Sequence, residues 1–243
     1  RQMCIRDRLK MSEHIVSSFD EELNGISDGI ITMGALVLEA LKRVETTLKN
    51  NDHNLAQEII DSDNQINDLG QSVENKVFNI LASRQPMAVD LRLVFSAVKM
   101  ALYLERCGDM CKGISKRIIK GALNEADSED TINHLINMSI KVHSNLALVL
   151  DDYGNKNCQN ALKVWRSDSE IDSLYSGVLT EILNAIKSNP DAINTLVPLL
   201  FIARYLERVG DQATNIAEET HFIVTGEDLT DEAKIQIENE TTF

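Results

Sequence analysis

Tyr103-Leu104-Glu105-Arg106-Cys107-Gly108-Asp109 recurs as Tyr205-Leu206-Glu207-Arg208-Val209-Gly210-Asp211, six identities in seven positions at an offset of 102 residues. In each copy a Glu and an Asp are spaced i, i+4, which on a helix places both carboxylates on one face, a turn apart. A second pair follows the same rule: Asp63 and Asn67 correspond to Asp168 and Asp172 at an offset of 105. In the second copy Asn215 and Glu218 extend the line beyond Asp211. Like-charged acids at this spacing repel each other, so something must neutralise or hydrate them. Sets of Asp, Glu and Asn oxygens suit Mg²⁺, Mn²⁺, Ca²⁺ or carboxylate-bridged iron, and they do not make a thiolate or imidazole zinc site. Pairing with Arg92, Arg106, Arg204 or Arg208, or a plain solvated face, are the alternatives that the spacing leaves open.

The elements that carry these acids are helices. Reading back from Glu105 in steps of three and four gives Leu102, Ala101, Val98, Phe95 and Leu91, and from Glu207 it gives Ala203, Leu200 and Leu196. On this reading the acids continue an inward apolar stripe, where an unpaired charge is costly. Six helices are expected at about 20–50, 54–83, 88–121, 129–153, 158–187 and 191–225. They are separated by Asn50-Asn51-Asp52, Arg84-Gln85-Pro86, Gly121 to Asp127, Gly154-Asn155 and Asn189-Pro190, all turn formers or prolines that a helix interior rejects. Three helices per repeat predict an all-α chain of two tandem, pseudo-repeated three-helix bundles, 11–123 and 124–226, each long enough for its own core. An acidic C-terminal tail, 227–243, follows.

Aromatic residues make up only 5% of the 243, with 11 Gly and 3 Pro, which fits long helices better than a strand-and-turn architecture. Residues 1–10 read as a non-native leader, with no helical period, four basic groups and one acid ahead of Met11. The whole chain carries a formal charge of −14, so a nucleic-acid duplex or an anionic membrane surface is not the expected partner. No apolar run is long enough for direct membrane insertion, since Ile193 to Leu206 is interrupted by Asn194, Pro198 and Arg204. Cys4, Cys107, Cys111 and Cys158 form no disulfide framework and point to a reducing, cytoplasmic setting.

Enzyme chemistry finds little support. There is no nucleophile elbow, Gly-rich phosphate loop or Cys-x-x-Cys, and Glu218 with His221 makes the one Glu-x-x-His pair, where a ferritin-like oxidase site needs two. Cys107 and Cys111 read as small core residues, because the second copy replaces them by Val209 and Ala213.

The repeated Leu-Glu-Arg-x-Gly-Asp elements, Arg84-Gln85-Pro86 leading into Asp90-Leu91-Arg92, the Asp168-x-x-x-Asp172 helix and the ending Phe222-Ile223-Val224-Thr225-Gly226-Glu227-Asp228 resemble the PhoU family of phosphate-transport regulators. The resemblance spans about 20–228. It implies a non-enzymatic, cytoplasmic helical protein, often a homodimer, that works with the ATPase subunit of the phosphate ABC transporter and with the sensor histidine kinase of the phosphate regulon. In that role it is a negative regulator of the regulon and of uptake. It also implies metal bound by the repeated motifs: Asp63, Asn67, Glu105 and Asp109 in the first copy, and Asp168, Asp172, Glu207, Asp211 and Asn215 in the second. Gly113 stands where the second copy has Asn215, and Asn67 where it has Asp172, so the first site is expected to be the weaker. A carboxylate-bridged metalloenzyme or metal store, or a helical adaptor for another transporter, is the alternative reading.

Overall fold

Asp52 shows why the chain breaks where it does. Its carboxylate accepts from the backbone N–H groups of Asn54 and Leu55, both at 3.0 Å, and so satisfies the donors that open the second helix. Gly226 ends the last helix in the left-handed region at φ +81°, with its N–H on the Phe222 carbonyl. Between such stops the computed structural model, which describes residues 5–123 and 129–229, holds six long helices and, among the described residues, no strand. They are α1 (Ile5–Asn50), α2 (His53–Ser83), α3 (Val89–Ile119), α4 (Glu129–Gly154), α5 (Ala161–Ser188) and α6 (Ile193–Thr225). A short 3₁₀ turn, Pro190–Ala192, leads into α6.

Four of the five expected breaks fall where they were placed, and the fifth, within Gly121 to Asp127, lies partly outside the described residues. The N-terminus departs from expectation. α1 begins at Ile5, not near 20, so 5–10 continue the helix. Nothing between Ile5 and Phe19 is Gly or Pro, and adding residues to an existing helix is far easier than nucleating one. Residues 230–243, most of the expected acidic tail, lie outside the described residues.

Both three-helix sets form, α1–α2–α3 and α4–α5–α6, but they do not stand apart. α3 packs along α6 and α1 along α4, so these four helices surround one contiguous apolar core, with α2 and α5 flanking it on their own halves. Tandem sequence duplication here gives lateral packing rather than two separate cores. The α3/α6 contact is antiparallel and pseudo-symmetric. At one end Lys99 Nζ lies 2.7 Å from Glu219 Oε1, and Ser96 Oγ donates to Glu219 Oε2 at 2.8 Å. At the other end the positions equivalent to Lys99 and Glu219 are Phe201 and Arg117, and the guanidinium lies over the Phe201 ring at 4.9 Å. Gly113 faces Tyr205 across the same contact, where a methyl group would come within 2.8 Å of the ring.

Candidate functional site

The repeated acids line two seams, one between α2 and α3 and its counterpart between α5 and α6. The stripe traced back from Glu105 needs correction, because Leu91, Phe95 and Leu102 are exposed. The buried face of α3 is turned about one residue away, through Val94, Ala97, Met100, Leu104 and Cys111. Glu105 therefore sits at the edge of the core, half-buried, with Asp109 exposed. In the second copy Glu207 is more deeply placed, at 8% exposure, and Asp168, Asp211 and Asn215 are half-buried, while Asp172 faces out.

The glycines of the repeat set the seam width. A methyl at Gly108 would lie 3.1 Å from Asp63 Oδ1, and one at Gly210 would lie 3.7 Å from Asp168 Oδ1, so in each copy the glycine faces the acid of the neighbouring helix. Helix-interior glycine costs roughly 1 kcal/mol relative to alanine; here it allows the two helices and their carboxylates to approach.

The two seams are neutralised differently. In the first, Asp63 is 2% exposed, and Lys112 Nζ reaches its Oδ2 at 2.7 Å. Asn67 Nδ2 donates to the same oxygen at 3.4 Å, and Oδ1 has no hydrogen-bond partner. The Asp63 carboxylate in turn raises the Lys112 pKa. The second-copy counterpart of Lys112 is Thr214, whose hydroxyl donates to the Gly210 carbonyl at 3.4 Å and only slightly offsets the rise of the Asp168 pKa. A threonine there donates one hydrogen bond and brings no charge.

The second seam is accordingly short of positive charge. Burial and then Asp172 and Asp211 push the Asp168 carboxyl above its ordinary range. Burial and then Asp172 do the same for Asp211, against the pull of Arg204 and Arg208. Glu207 is raised by burial and Asp211, opposed by Arg204, which pairs with its Oε1. Its Oε2 is buried with no hydrogen-bond partner. Of the arginine pairings that the sequence allowed, Arg204 with Glu207 forms; Arg92 reaches the Ile223 carbonyl instead, Arg106 is exposed, and the exposed Arg208 acts on Asp211 through its charge. Arg204 also lies over the Tyr175 ring at 5.6 Å. Tyr175 takes the place of Gly70, over which the Glu105 side chain folds in the first copy.

The second seam's donors fit a hard cation: all are oxygens, three are carboxylates held above their ordinary pKa, and one carboxylate oxygen is orphaned. Among the described residues no three His, Cys, Asp or Glu side chains already converge closely enough to hold an ion, so binding there would draw the carboxylates of α5 and α6 inward. The first seam fits less well, because Lys112 already occupies Asp63. The spacing reading missed both Lys112 and Thr214. Their signal lay at the same repeat position, three residues after Asp109 and Asp211. Gly113, by contrast, serves the α3/α6 contact. Cys107 and Cys111 are buried free thiols whose pKa values burial raises, Cys111 to about 12, as core residues would show. His221 turns away from the seam, with Nδ1 3.0 Å from the Glu227 carbonyl.

The sequence repeat has a family counterpart. The PhoU domain matches the chain twice, over residues 30–118 and 135–220, one match per repeat. The chain belongs to the PhoU family. It is 40% identical over 221 residues to the phosphate-specific transport system accessory protein PhoU homolog of Caulobacter vibrioides, covering 90% of this chain and 95% of that one. It is 30% identical over 225 residues to the phosphate-specific transport system accessory protein PhoU of Escherichia coli, covering 92% of each. Among solved structures, PhoU from Pseudomonas aeruginosa superposes with a TM-score of 0.82 at 31% identity, covering 86% of this chain and all of that one. The phosphate transport system regulatory protein PhoU from Streptococcus pneumoniae gives 0.79 at 30% identity, covering 87% and 99%. The helical PhoU fold thus extends over nearly the whole described chain, and no described helix is long and apolar enough to cross a membrane.

Proposed function

We propose that this chain is a cytoplasmic accessory protein of a phosphate ABC transporter that restrains the phosphate regulon and phosphate uptake. It would engage the transporter's ATPase subunit and the regulon's sensor histidine kinase, act as a homodimer, and catalyse no reaction of its own. The observation that carries this reading is the match of both repeats, at 30–40% identity and over 90% or more of the chain, to accessory proteins of the phosphate-specific transport system. The shared core bears on how such a protein could work. Because α3 and α6 belong to opposite repeats and pack directly, a shift of α3 or α6 at one half would have to be accommodated by the other. A partner biases that body only through unequal affinity for its states.

In this reading the second seam holds a hard divalent or iron-type ion through Asp168, Asp172, Glu207 and Asp211, with Asn215 as a further oxygen. Mg²⁺, Mn²⁺, Fe and Ca²⁺ suit the donors, and zinc suits them less. The ion would add positive charge to a seam where acids outnumber the arginines, joining α5 to α6. The chain's own contribution is the spacing set by Gly210 and the desolvation that keeps Glu207 in need of a partner.

Deleting the gene and measuring a phosphate-regulon reporter in phosphate-replete medium tests the regulatory role. Expression should rise, and a plasmid copy should lower it again. The ATPase subunit and the kinase should each co-purify with the tagged chain. Normal repression in the deletion strain, with neither partner recovered, would sink the proposal.

A further inference from the structure

We propose that Lys112 is the resident cation of the first seam, standing where the second seam would take a metal ion, so that the chain binds metal through its second repeat alone. This rests on the metal-binding reading of the second seam. The Lys112 ammonium is 2.7 Å from Asp63 Oδ2, on a carboxylate that is almost fully buried, and Asn67 adds a neutral donor to the same oxygen where the second copy has Asp172. Lys112 comes from α3, beside Asp109, and Asp63 from α2, so the lysine makes the same cross-helix tie that a bound ion would make between α5 and α6.

A divalent cation entering the first seam would meet a fixed positive charge at hydrogen-bond distance from its best-buried ligand, and that repulsion is strong where water is scarce. The tether also keeps the ammonium at high effective concentration next to Asp63. The second copy differs: Thr214 supplies an uncharged hydroxyl, Arg204 pairs with Glu207 from the same helix with half its side chain exposed, and Asp168 lies beside the charges of Asp172 and Asp211. The unpartnered Asp63 Oδ1 shows that the first carboxylate retains acceptor capacity. Of the positions that differ in charge between the seams, Lys112 is the one that puts a cation on the buried carboxylate of the neighbouring helix.

The test is Mn²⁺ titration of the chelator-treated full chain by calorimetry, with melting temperature followed in parallel. In the wild type, Asp211→Ala should abolish Mn²⁺ binding and Asp109→Ala should leave it unchanged. Lys112→Thr should add a second site. In the Lys112→Thr/Asp211→Ala chain the Mn²⁺ binding lost in Asp211→Ala should return as one site per chain, in the first seam. Lys112→Arg, which keeps the charge, should behave as wild type. Equal loss from Asp109→Ala and Asp211→Ala, or no gained site in a folded Lys112→Thr chain, would overturn the role of Lys112 while leaving metal binding intact. If Lys112→Thr does not fold, the Asp109→Ala and Asp211→Ala comparison decides alone. If Mn²⁺ and the other hard cations bind no variant, the metal reading falls and this inference with it.

Discussion

Lys99 of α3 pairs with Glu219 of α6 at 2.7 Å, an ion pair made between the two repeats rather than within one. The residues at the equivalent pseudo-symmetric positions, Phe201 and Arg117, meet as ring and cation. One contact has been built twice with different chemistry.

Glu219 is buried and, among the described residues, keeps the Ser96 hydroxyl but no cation if the lysine is removed, so Lys99→Met should destabilise the chain. Lys99 itself keeps 43% exposure, and solvent screening holds the expected cost near 1 kcal/mol. At this chain length that is a fall of about 2–4 °C in melting temperature. A double-mutant cycle with Glu219→Gln should recover most of the loss, and a cycle with no coupling would show that the pair contributes nothing to joining the repeats. Arg117→Ala should cost about 0.5–1 kcal/mol by the same melt, the range for a partly exposed cation over a ring.

Gly113 and Gly177 make opposite predictions from the same substitution. At Gly177, exposed in the middle of α5, an added methyl meets nothing within 4 Å, so Gly177→Ala should stabilise by about 0.5–1 kcal/mol through helix propensity and unfolded-state entropy. At Gly113 the methyl would press on two Tyr205 ring atoms at 2.8 and 2.9 Å. A ring in a packed contact cannot fold out of the way as a flexible chain end can, so Gly113→Ala should cost about 1–3 kcal/mol as overpacking. Urea melts of both variants check this, and a stabilised Gly113→Ala would mean that the α3/α6 contact is looser than described.

The helices and most of their ends were legible in sequence because local signals set them: Asp52 as a cap, Pro86 and Pro190 as stops, Gly154 and Gly226 near helix ends. The acid pairs were legible because i, i+4 spacing fixes a helix face whatever the tertiary structure. Which side of that face was buried was not, since Phe95 and Leu91 look like core residues by type yet lie outside it. The meeting of α3 with α6 depends on how the two repeats dock, for which no local pattern exists. Lys112 was hidden for the same reason: its partner is 49 residues away on another helix, and in one dimension it reads as an ordinary solvated lysine.

Metal should be exchangeable with protons at the second seam. Mn²⁺ added to chelator-treated protein in weak buffer at a pH just above the ordinary carboxylate range should release protons, because ligands must be ionised to bind, and Asp168, Glu207 and Asp211 are the groups whose raised pKa values hold protons there. Asp168→Asn should reduce the release. Release that is unchanged in that variant would place the protons elsewhere.

The same three acids set a sign for the pH dependence of metal-free stability. Each binds its proton more tightly folded than unfolded, chiefly because burial disfavours its charge, with nearby carboxylates adding to the effect. Glu105 behaves likewise, through burial, Glu74 and Asp109. Between the ordinary carboxylate pKa of about 4 and the raised folded values, the folded chain holds more protons, so its stability falls as pH rises through that window. Glu22 and Glu45 are shifted the other way; their stabilisation is present above the ordinary value and is lost only as pH falls through their lower folded pKa, outside this window. His143, held low mainly by burial, makes stability rise with pH up to its unfolded value of about 6.5. The informative comparison is therefore between chains that share His143. Urea melts of chelator-treated wild type and Asp211→Asn from pH 4.5 to 7 should show the variant gaining relative to wild type as pH rises, because it no longer carries one of the repelling charges. Saturating Mn²⁺ should shrink that difference or reverse it, since the ion neutralises the wild-type seam and the variant has lost a ligand. Parallel curves for the two chains without metal would mean that Asp211 does not feel its carboxylate neighbours, and the electrostatic case for a cation in the second seam would lose its basis.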